Sequence, residues 1–372
     1  MLKKALIAAA CAGAFVLSGC SSPVSQAPTE LEKYQSLAEP EIVWKSNVGD
    51  SHNNFLSPSV VGSAVFAAGD DTVYRLDAQT GKKVWHLDLD SPIASGVGSD
   101  GFIVAVGTAK GELVVMSAEG QRLWSQYLTS EMDAVPLVGH GLVIVRTSDT
   151  RVTAFDAMTG EQRWRYQRQA PSLTVKTASS MIFFGPMILV GQSNGYLLGL
   201  SLEGKPVWQS LVSEARGITE VERLVDVMGA PLHHNDLLCA SAFQGRLVCM
   251  DAQSGQLRWQ HDIGAMTPPV ADDRFVFVGN TASEVYAFDR HRGMPVWKSD
   301  QFKWRGVRAL AAFSGVLMVT DGEGYIHVLN PENGQVIGRD DLSGAFVAPA
   351  QPYEQGAVFQ TEDGDVAYIK VR

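Results

Sequence analysis

The chain has 372 residues, 45% of them hydrophobic and 19% charged, with 36 Gly and 16 Pro. That apolar share supports a sizeable core and excludes wholesale disorder, and with one apolar run approaching membrane length, Ala5 to Leu17, a multi-span membrane protein is excluded as well. Thirty Lys+Arg against 40 Asp+Glu give a net charge of −10 with no basic block, so nucleic-acid binding by phosphate neutralisation is not expected.

The first segment reads as an address. Lys3 and Lys4 precede the apolar run, and Leu17-Ser18-Gly19-Cys20 ends it. A short apolar stretch behind two lysines is a secretory signal rather than a stable spanning helix. The L-S-G-C arrangement resembles the bacterial lipobox, so residues 1–19 are expected to be removed and Cys20 to be lipidated. Ser21 and Ser22 follow, with no Asp beside Cys20; by resemblance to lipoprotein sorting rules this implies the outer membrane, on its periplasmic face. Such an anchor holds the body at a bilayer without crossing it. Residues 20–40, rich in Ser, Pro, Ala and Glu, are expected to be a flexible tether.

From residue 41 onward one pattern recurs. DTVYRLDAQTGKKVW, TRVTAFDAMTGEQRW, QGRLVCMDAQSGQLRW and SEVYAFDRHRGMPVW are four of its copies. The residue closing the strand of each copy is Asp77, Ser117, Asp156, Ser201, Asp251, Asp289, Asn330 and Lys370, at intervals of 40, 39, 45, 50, 38, 41 and 40. Short runs such as Val73–Leu76, Phe102–Val106, Leu142–Val145 and Phe275–Val278 are β-branched or aromatic and bounded by turn formers. Thr80-Gly81, Thr159-Gly160, Ser254-Gly255 and Asn333-Gly334 put glycine where a tight turn needs positive φ. No amphipathic helix of useful length appears. A unit of about 40 residues holds four short strands, the size of one propeller blade. The expectation is therefore an all-β, eight-bladed β-propeller of four-stranded antiparallel blades over residues 41–372.

An aromatic anchor follows the closing residue in most copies: Trp85, Trp124, Trp164, Trp208, Trp259 and Trp297, with Trp44 ahead of the first copy. Each is expected to pack between blades with its indole N–H on a backbone carbonyl. The seventh copy has Gly338 in that place and the eighth ends too early. The strand around Trp44 is thus expected to complete the last blade, closing the ring and hiding an edge. Trp304, beside Lys303, Arg305 and Arg308, lies outside the pattern and reads either as a packed loop aromatic or as a partner contact.

Catalytic motifs fail in context. Gly191–Gly195 satisfies G-x-S-x-G, but no helix follows and the segment aligns with a repeat turn. Gly96, Gly98 and Gly101 satisfy G-x-G-x-x-G, but a strand follows in place of a helix N-terminus. The eight histidines show no metal spacing, and acidic pairs such as Asp363/Asp365 are too sparse for a calcium loop. Cys239 and Cys249 flank a turn centred on Gln244 and face each other, which leaves two readings, a cross-strand disulfide or two buried thiols.

The repeat resembles the PQQ-type propeller repeat over essentially all of residues 41–372, and with the lipobox and chain length it resembles the BamB family of outer-membrane lipoproteins. The resemblance implies a non-enzymatic scaffold without cofactor or metal. It would bind the POTRA domains of BamA within the β-barrel assembly (BAM) complex and assist unfolded outer-membrane proteins, touching the membrane through its lipid anchor alone. Two family motifs are found, Pro171-Ser172-Leu173-Thr174-Val175-Lys176 and Arg223-Leu224-Val225-Asp226-Val227-Met228. They imply Leu173, Val175, Lys176, Arg223 and Asp226 as BamA-binding residues. Met228 stands where the family has a second acid, and Lys176 where it often has Arg. The enlarged repeat intervals of 45 and 50 fall on these segments, as insertions on one face of a propeller would. Competing readings are a PQQ-dependent dehydrogenase-like protein and a propeller that binds another envelope ligand.

Overall fold

The turn-bounded apolar runs fold throughout as antiparallel sheet. The computed structural model describes residues 26–52, 54–168, 173, 179–219 and 221–372, and these contain no helix. Blade 1 is the meander Ser59–Val61, Ala64–Gly69, Thr72–Asp77 and Lys83–Asp88, ordered from the axis outward. Blades 2 to 7 repeat it over residues 98–127, 137–167, 179–211, 227–262, 270–299 and 309–341. Blade 4 also carries a fifth, two-residue strand, Ala134–Val135, lying parallel to Ser179–Ser180. Blade 8 takes Gln351–Tyr353, Gly356–Gln360 and Asp365–Val371 from the C-terminus, and its outermost strand, Pro40–Asn47, from the other end of the chain. Pro40 pairs with Val371 and Asn47 with Asp365, so the closing strands are zipped along their length.

The core lies between blades. Second strands such as Ala64–Gly69 and Ile103–Gly107 are buried at every position because both faces of each sheet are covered, whereas outermost strands such as Lys83–Asp88 alternate between exposed and half-buried. One apolar cluster fills each of the eight seams. Phe66 and Val73 meet Val104 and Met116 at the first, and Trp44, Val358 and Tyr368 meet Val65 and Leu76 where the ring closes.

The tryptophans join these seams by one repeated contact. Each lies under a positive-φ glycine of the next blade: Trp44 under Gly81, Trp85 under Gly120, Trp124 under Gly160, Trp164 under Gly204, Trp208 under Gly255, Trp259 under Gly293 and Trp297 under Gly334. A Cβ on any of these glycines would fall within 3 Å of the indole. Six indole N–H groups donate to the residue after the strand-closing position: Trp44 to Ala78 (2.9 Å), Trp85 to Ala118 (2.8 Å), Trp124 to Ala157 (2.9 Å), Trp164 to Leu202 (2.7 Å), Trp259 to Arg290 (3.0 Å) and Trp297 to Pro331 (2.7 Å). Trp208 departs from the expectation. Its Nε1 edge, rather than the benzene edge, lies against Gly255, and an apolar cavity of about 150 Å³ opens beside it between Met187, Leu189 and Leu238.

The strand-closing acids shape the same turns. Asp77 accepts from the N–H and hydroxyl of Thr80, and Asp251 from those of Ser254. Asp156 accepts from Arg163 and Thr159, which holds its carboxyl well below the usual carboxylate range.

Blade 7 has no indole, and its vacancy is filled by the segment expected to be tether. A Cβ on Gly338 would lie 1.7 Å from the Ala38 carbonyl oxygen. Leu37 and Ala38 N–H donate to the Ile337 carbonyl (2.8 and 3.1 Å), and Tyr34 packs on the seam between blades 6 and 7. The expected flexible tether is therefore corrected for residues 29–39, which lie against the propeller; the reason is the space that a missing tryptophan leaves. Two arginines hold this strap. Arg305 Nη1 donates to the Thr29 carbonyl (2.9 Å) and Arg339 Nη1 to the Glu32 carbonyl (3.2 Å). Both are aligned by a fully buried pair: Asp321 Oδ2 accepts from Arg305 Nε (2.6 Å) and His327 Nε2 (3.0 Å), while His327 Nδ1 accepts from Arg339 Nε (3.1 Å). Burial holds the His327 imidazole below its ordinary value, helped by the two guanidinium groups and opposed by Asp321. For Asp321, burial alone would raise the carboxyl; the bonds from His327 and Arg305 outweigh it and hold the group below its ordinary value.

Two expectations follow. Gly160→Ala forces a Cβ 2.6 Å from the Trp124 ring at φ +72, and in urea unfolding it destabilises by more than Gly185→Ala, where nothing lies within 4 Å and only the backbone cost of about 1–2 kcal/mol applies. Because His327 titrates lower in the folded chain than its ordinary 6.5, the unfolded chain binds the proton first as pH falls, and stability drops. The urea midpoint therefore falls between about pH 7.5 and about pH 5.5, and His327→Gln flattens that fall.

Candidate interaction surface

In a four-stranded meander the connection from one blade's outermost strand to the next blade's innermost strand emerges on the same face as the turn between second and third strands. The two enlarged repeat intervals are connections of this kind, and they flank blade 4. Residues 168–178 enter it after Gln162–Gln167, and residues 212–226 leave it after Pro206–Leu211. Of the first, Arg168 and Leu173 are described, and Leu173 is 43% exposed. Val175 and Lys176 lie outside the described residues, as does Cys20.

The second connection is anchored at both ends and held open in the middle. Val212 and Ser213 N–H donate to the Gly195 carbonyl (2.8 and 3.1 Å), Val227 N–H to Gln192 (3.2 Å), and Phe243 N–H to the Asp226 carbonyl (2.9 Å). Val212, Val225 and Val227 are buried. Between them, the Glu222 carboxylate accepts from the N–H groups of Ile218 (2.9 Å) and Thr219 (3.0 Å), and Thr219 Oγ1 accepts from Glu222 N–H (3.2 Å). This reciprocal clasp is the one that starts many helices, used here to fix a turn, and those backbone bonds hold the Glu222 carboxyl below its ordinary value. The clasp presents Ile218, 98% exposed, and Val221, 57% exposed, to water. Arg223 is exposed beside them, and an exposed Arg216–Glu214 pair stands at 3.7 Å.

Asp226 is placed differently from its neighbours in the motif, at 4% exposure. Its carboxylate is packed at the root of the connection, so Leu173 and Arg223 offer surface and Asp226 does not. Ile218 and Val221 were not singled out from sequence. Two β-branched aliphatics within a run of charged and small residues, GITEVER, were the available signal.

Next to this connection, Cys239 and Cys249 face each other across paired strands of blade 5 with Cα atoms 4.1 Å apart, and their sulfurs are joined. The G-x-S-x-G segment forms the hairpin turn between Met187–Gly191 and Tyr196–Ser201, and the third glycine of G-x-G-x-x-G, Gly101, lies in a turn leading to the strand Ile103–Gly107. At the axis, the innermost strands enclose a cavity of about 240 Å³ lined by Ser57, Pro58, Ser99, Pro136, Met181, Ala230 and Gln351 among others. Its lining contains no Asp, Glu, His, Lys or Arg, and no cluster of three potential metal ligands occurs among the described residues. The residues present do not fit a charged quinone held with a metal ion.

Comparison with known proteins agrees with this architecture. A family model described as outer membrane protein assembly factor BamB matches residues 69–299. The chain belongs to the BamB family. BamB of Burkholderia pseudomallei is 38% identical over the whole of both chains, and BamB of Bordetella pertussis 35% identical over 96% of this chain and 95% of its own. The crystal structure of BamB from Moraxella catarrhalis superposes with a TM-score of 0.83 at 25% identity, covering 89% of this chain and 99% of that one. The quinohemoprotein alcohol dehydrogenase of Comamonas testosteroni superposes with a TM-score of 0.68 at 13% identity, over 89% of this chain and 76% of that one, a likeness of fold alone.

The cysteine pair is directly testable. The exported protein, alkylated under denaturing conditions without reductant, is expected to show no modified Cys239 or Cys249 by mass spectrometry, and both modified after reduction. Replacing both by alanine opens a loop of ten residues and costs about 3 kcal/mol of stability.

Proposed function

We propose that this chain is a non-enzymatic scaffold of the outer-membrane β-barrel assembly complex, anchored to the periplasmic face of the outer membrane through lipidated Cys20. It docks on the POTRA domains of BamA through the two connections flanking blade 4, and so assists insertion of outer-membrane proteins. What supports the assembly role is that its relatives are named outer membrane protein assembly factors. What supports the docking surface is one observation: a hydrogen-bonded turn holds Ile218 almost fully in water, with Val221 and Arg223 alongside. Apolar anchors ringed by charge, displayed on a rigid frame, are what a protein–protein contact needs. In this reading Leu173, Val175, Lys176 and Arg223 touch the partner, and Asp226 positions the connection from below.

The reading predicts that Leu173→Ser combined with Ile218→Ser lowers the amount of BamA recovered by mild-detergent co-purification by about tenfold or more, while the melting temperature stays within a few degrees. Arg223→Glu weakens recovery alone. Asp226→Asn, by contrast, lowers stability. Full recovery of BamA with the double variant would remove the docking surface from this face.

A further inference from the structure

The strap that fills blade 7 has a consequence for how the body meets the bilayer. Its first bonded residue is Thr29, whose N–H and hydroxyl both donate to the Lys303 carbonyl (3.0 and 2.8 Å). Lys303 and Trp304 form the tip of the connection between blades 6 and 7. Thr29 stands only nine residue steps after Cys20, a reach of at most about 32 Å; had the chain been free up to Pro40, the reach would be about 72 Å.

The tip itself is unusual. Trp304 is 39% exposed and belongs to none of the buried seam clusters, and it adopts φ +63, a left-handed conformation that bulky side chains rarely take. It is held there from two sides, by its own N–H on the Ala282 carbonyl (3.0 Å) and by Arg305, which ties the tip to buried Asp321. Lys303 Nζ stands 5.9 Å from the indole centre. A strained conformation kept at an exposed aromatic points to a use for that aromatic. Indole and ammonium groups side by side favour the headgroup level of a bilayer. On a chain of net charge −10, a tip with a lysine is a place where the body can approach anionic lipid.

We propose that Lys303–Trp304 is a lipid-surface contact, and that the strap favours it by fixing Thr29, nine residue steps from the anchor, at the same point. This rests on lipidation at Cys20. The body is thereby oriented, with the part of the connection-bearing face beside blades 6 and 7 toward the bilayer and the connections of blade 4 on the same face across the ring.

The test uses the full-length mature protein on vesicles of phosphatidylethanolamine and phosphatidylglycerol, with and without bromine on the acyl chains. Mass spectrometry and flotation establish acylation and attachment. The expected result is that brominated lipid quenches tryptophan emission of the attached protein, and that Trp304→Phe, at equal attachment and unchanged melting temperature, loses most of that quenching. Equal quenching in the wild type and Trp304→Phe, or none in either, with the protein acylated and attached, overturns the lipid contact and leaves the anchor standing. Absence of acylation overturns both. A Trp304-dependent emission change that tracks protein concentration without vesicles assigns the tip to a second copy and overturns the proposal.

Discussion

The ring depends on an indole lodged beneath a glycine of the next blade. The contact works because two requirements coincide at one turn. The backbone must enter the left-handed region, which glycine does at no steric cost, and the space where a side chain would stand must be empty so that the ring of the neighbour can enter it. The carbonyl of the residue after the strand-closing acid then takes the indole N–H, so a large aromatic is buried with its polar atom satisfied. Since the same acid organises the turn through its carboxylate, the motif Asp-x-x-Thr-Gly specifies both a hairpin and a socket. Closure uses the same part: Trp44, on the strand borrowed from the N-terminus, enters the Gly81 socket as the others enter theirs.

Where that part is missing, the structure shows what it was holding. Blade 7 presents Gly338 in place of an indole, and the space is taken by main chain from the N-terminal segment, with Ala38 crossing where a ring would have been. The replacement is polar where the original is apolar. Arg305, Asp321, His327 and Arg339 form a connected set of bonds that ends on two strap carbonyls, and burying such a network is tolerable only because every member finds a partner. The strap contact therefore responds to proton concentration through an imidazole, whereas the indole sockets respond through the carboxylates of their turns.

Much of this architecture was legible in the sequence because it is periodic. The spacing of Asp77, Ser117, Asp156 and their equivalents marks the third strand of each blade, and the surplus Trp44 at one end with a blade short of a strand at the other reveals the closure. What was not legible is aperiodic. The vacancy at Gly338 could be seen, but nothing in residues 29–39 marks them as its occupant, since they fill it with backbone and not with a recognisable side chain. The burial of Asp226 was hidden for a related reason: an acid in a charged loop reads as surface, whereas the bonds of Val227 to Gln192 and of Phe243 to Asp226 hold the backbone on either side of its carboxylate against the body. The reversed indole of Trp208 lies against Gly255 of a copy whose motif, Asp-Ala-Gln-Ser-Gly, closely matches that of the first blade.

The same frame serves redox enzymes and assembly factors, so the difference must lie in what the frame carries. In this chain the axial cavity is lined by small, apolar and uncharged polar side chains. The elaboration has gone to the rim. Two connections around blade 4 are lengthened, and in one of them Glu222 ties a turn that holds Ile218 off the body. A turn made rigid before binding spares the partner the cost of ordering it. The second lengthened connection leads into the cross-linked blade 5, and the part of the ring bearing the strap is built from blades 6 and 7. Seven seams joined by indoles and one joined by the strap keep these features at fixed angles to one another, and a wheel has that property where a flexible chain of domains does not.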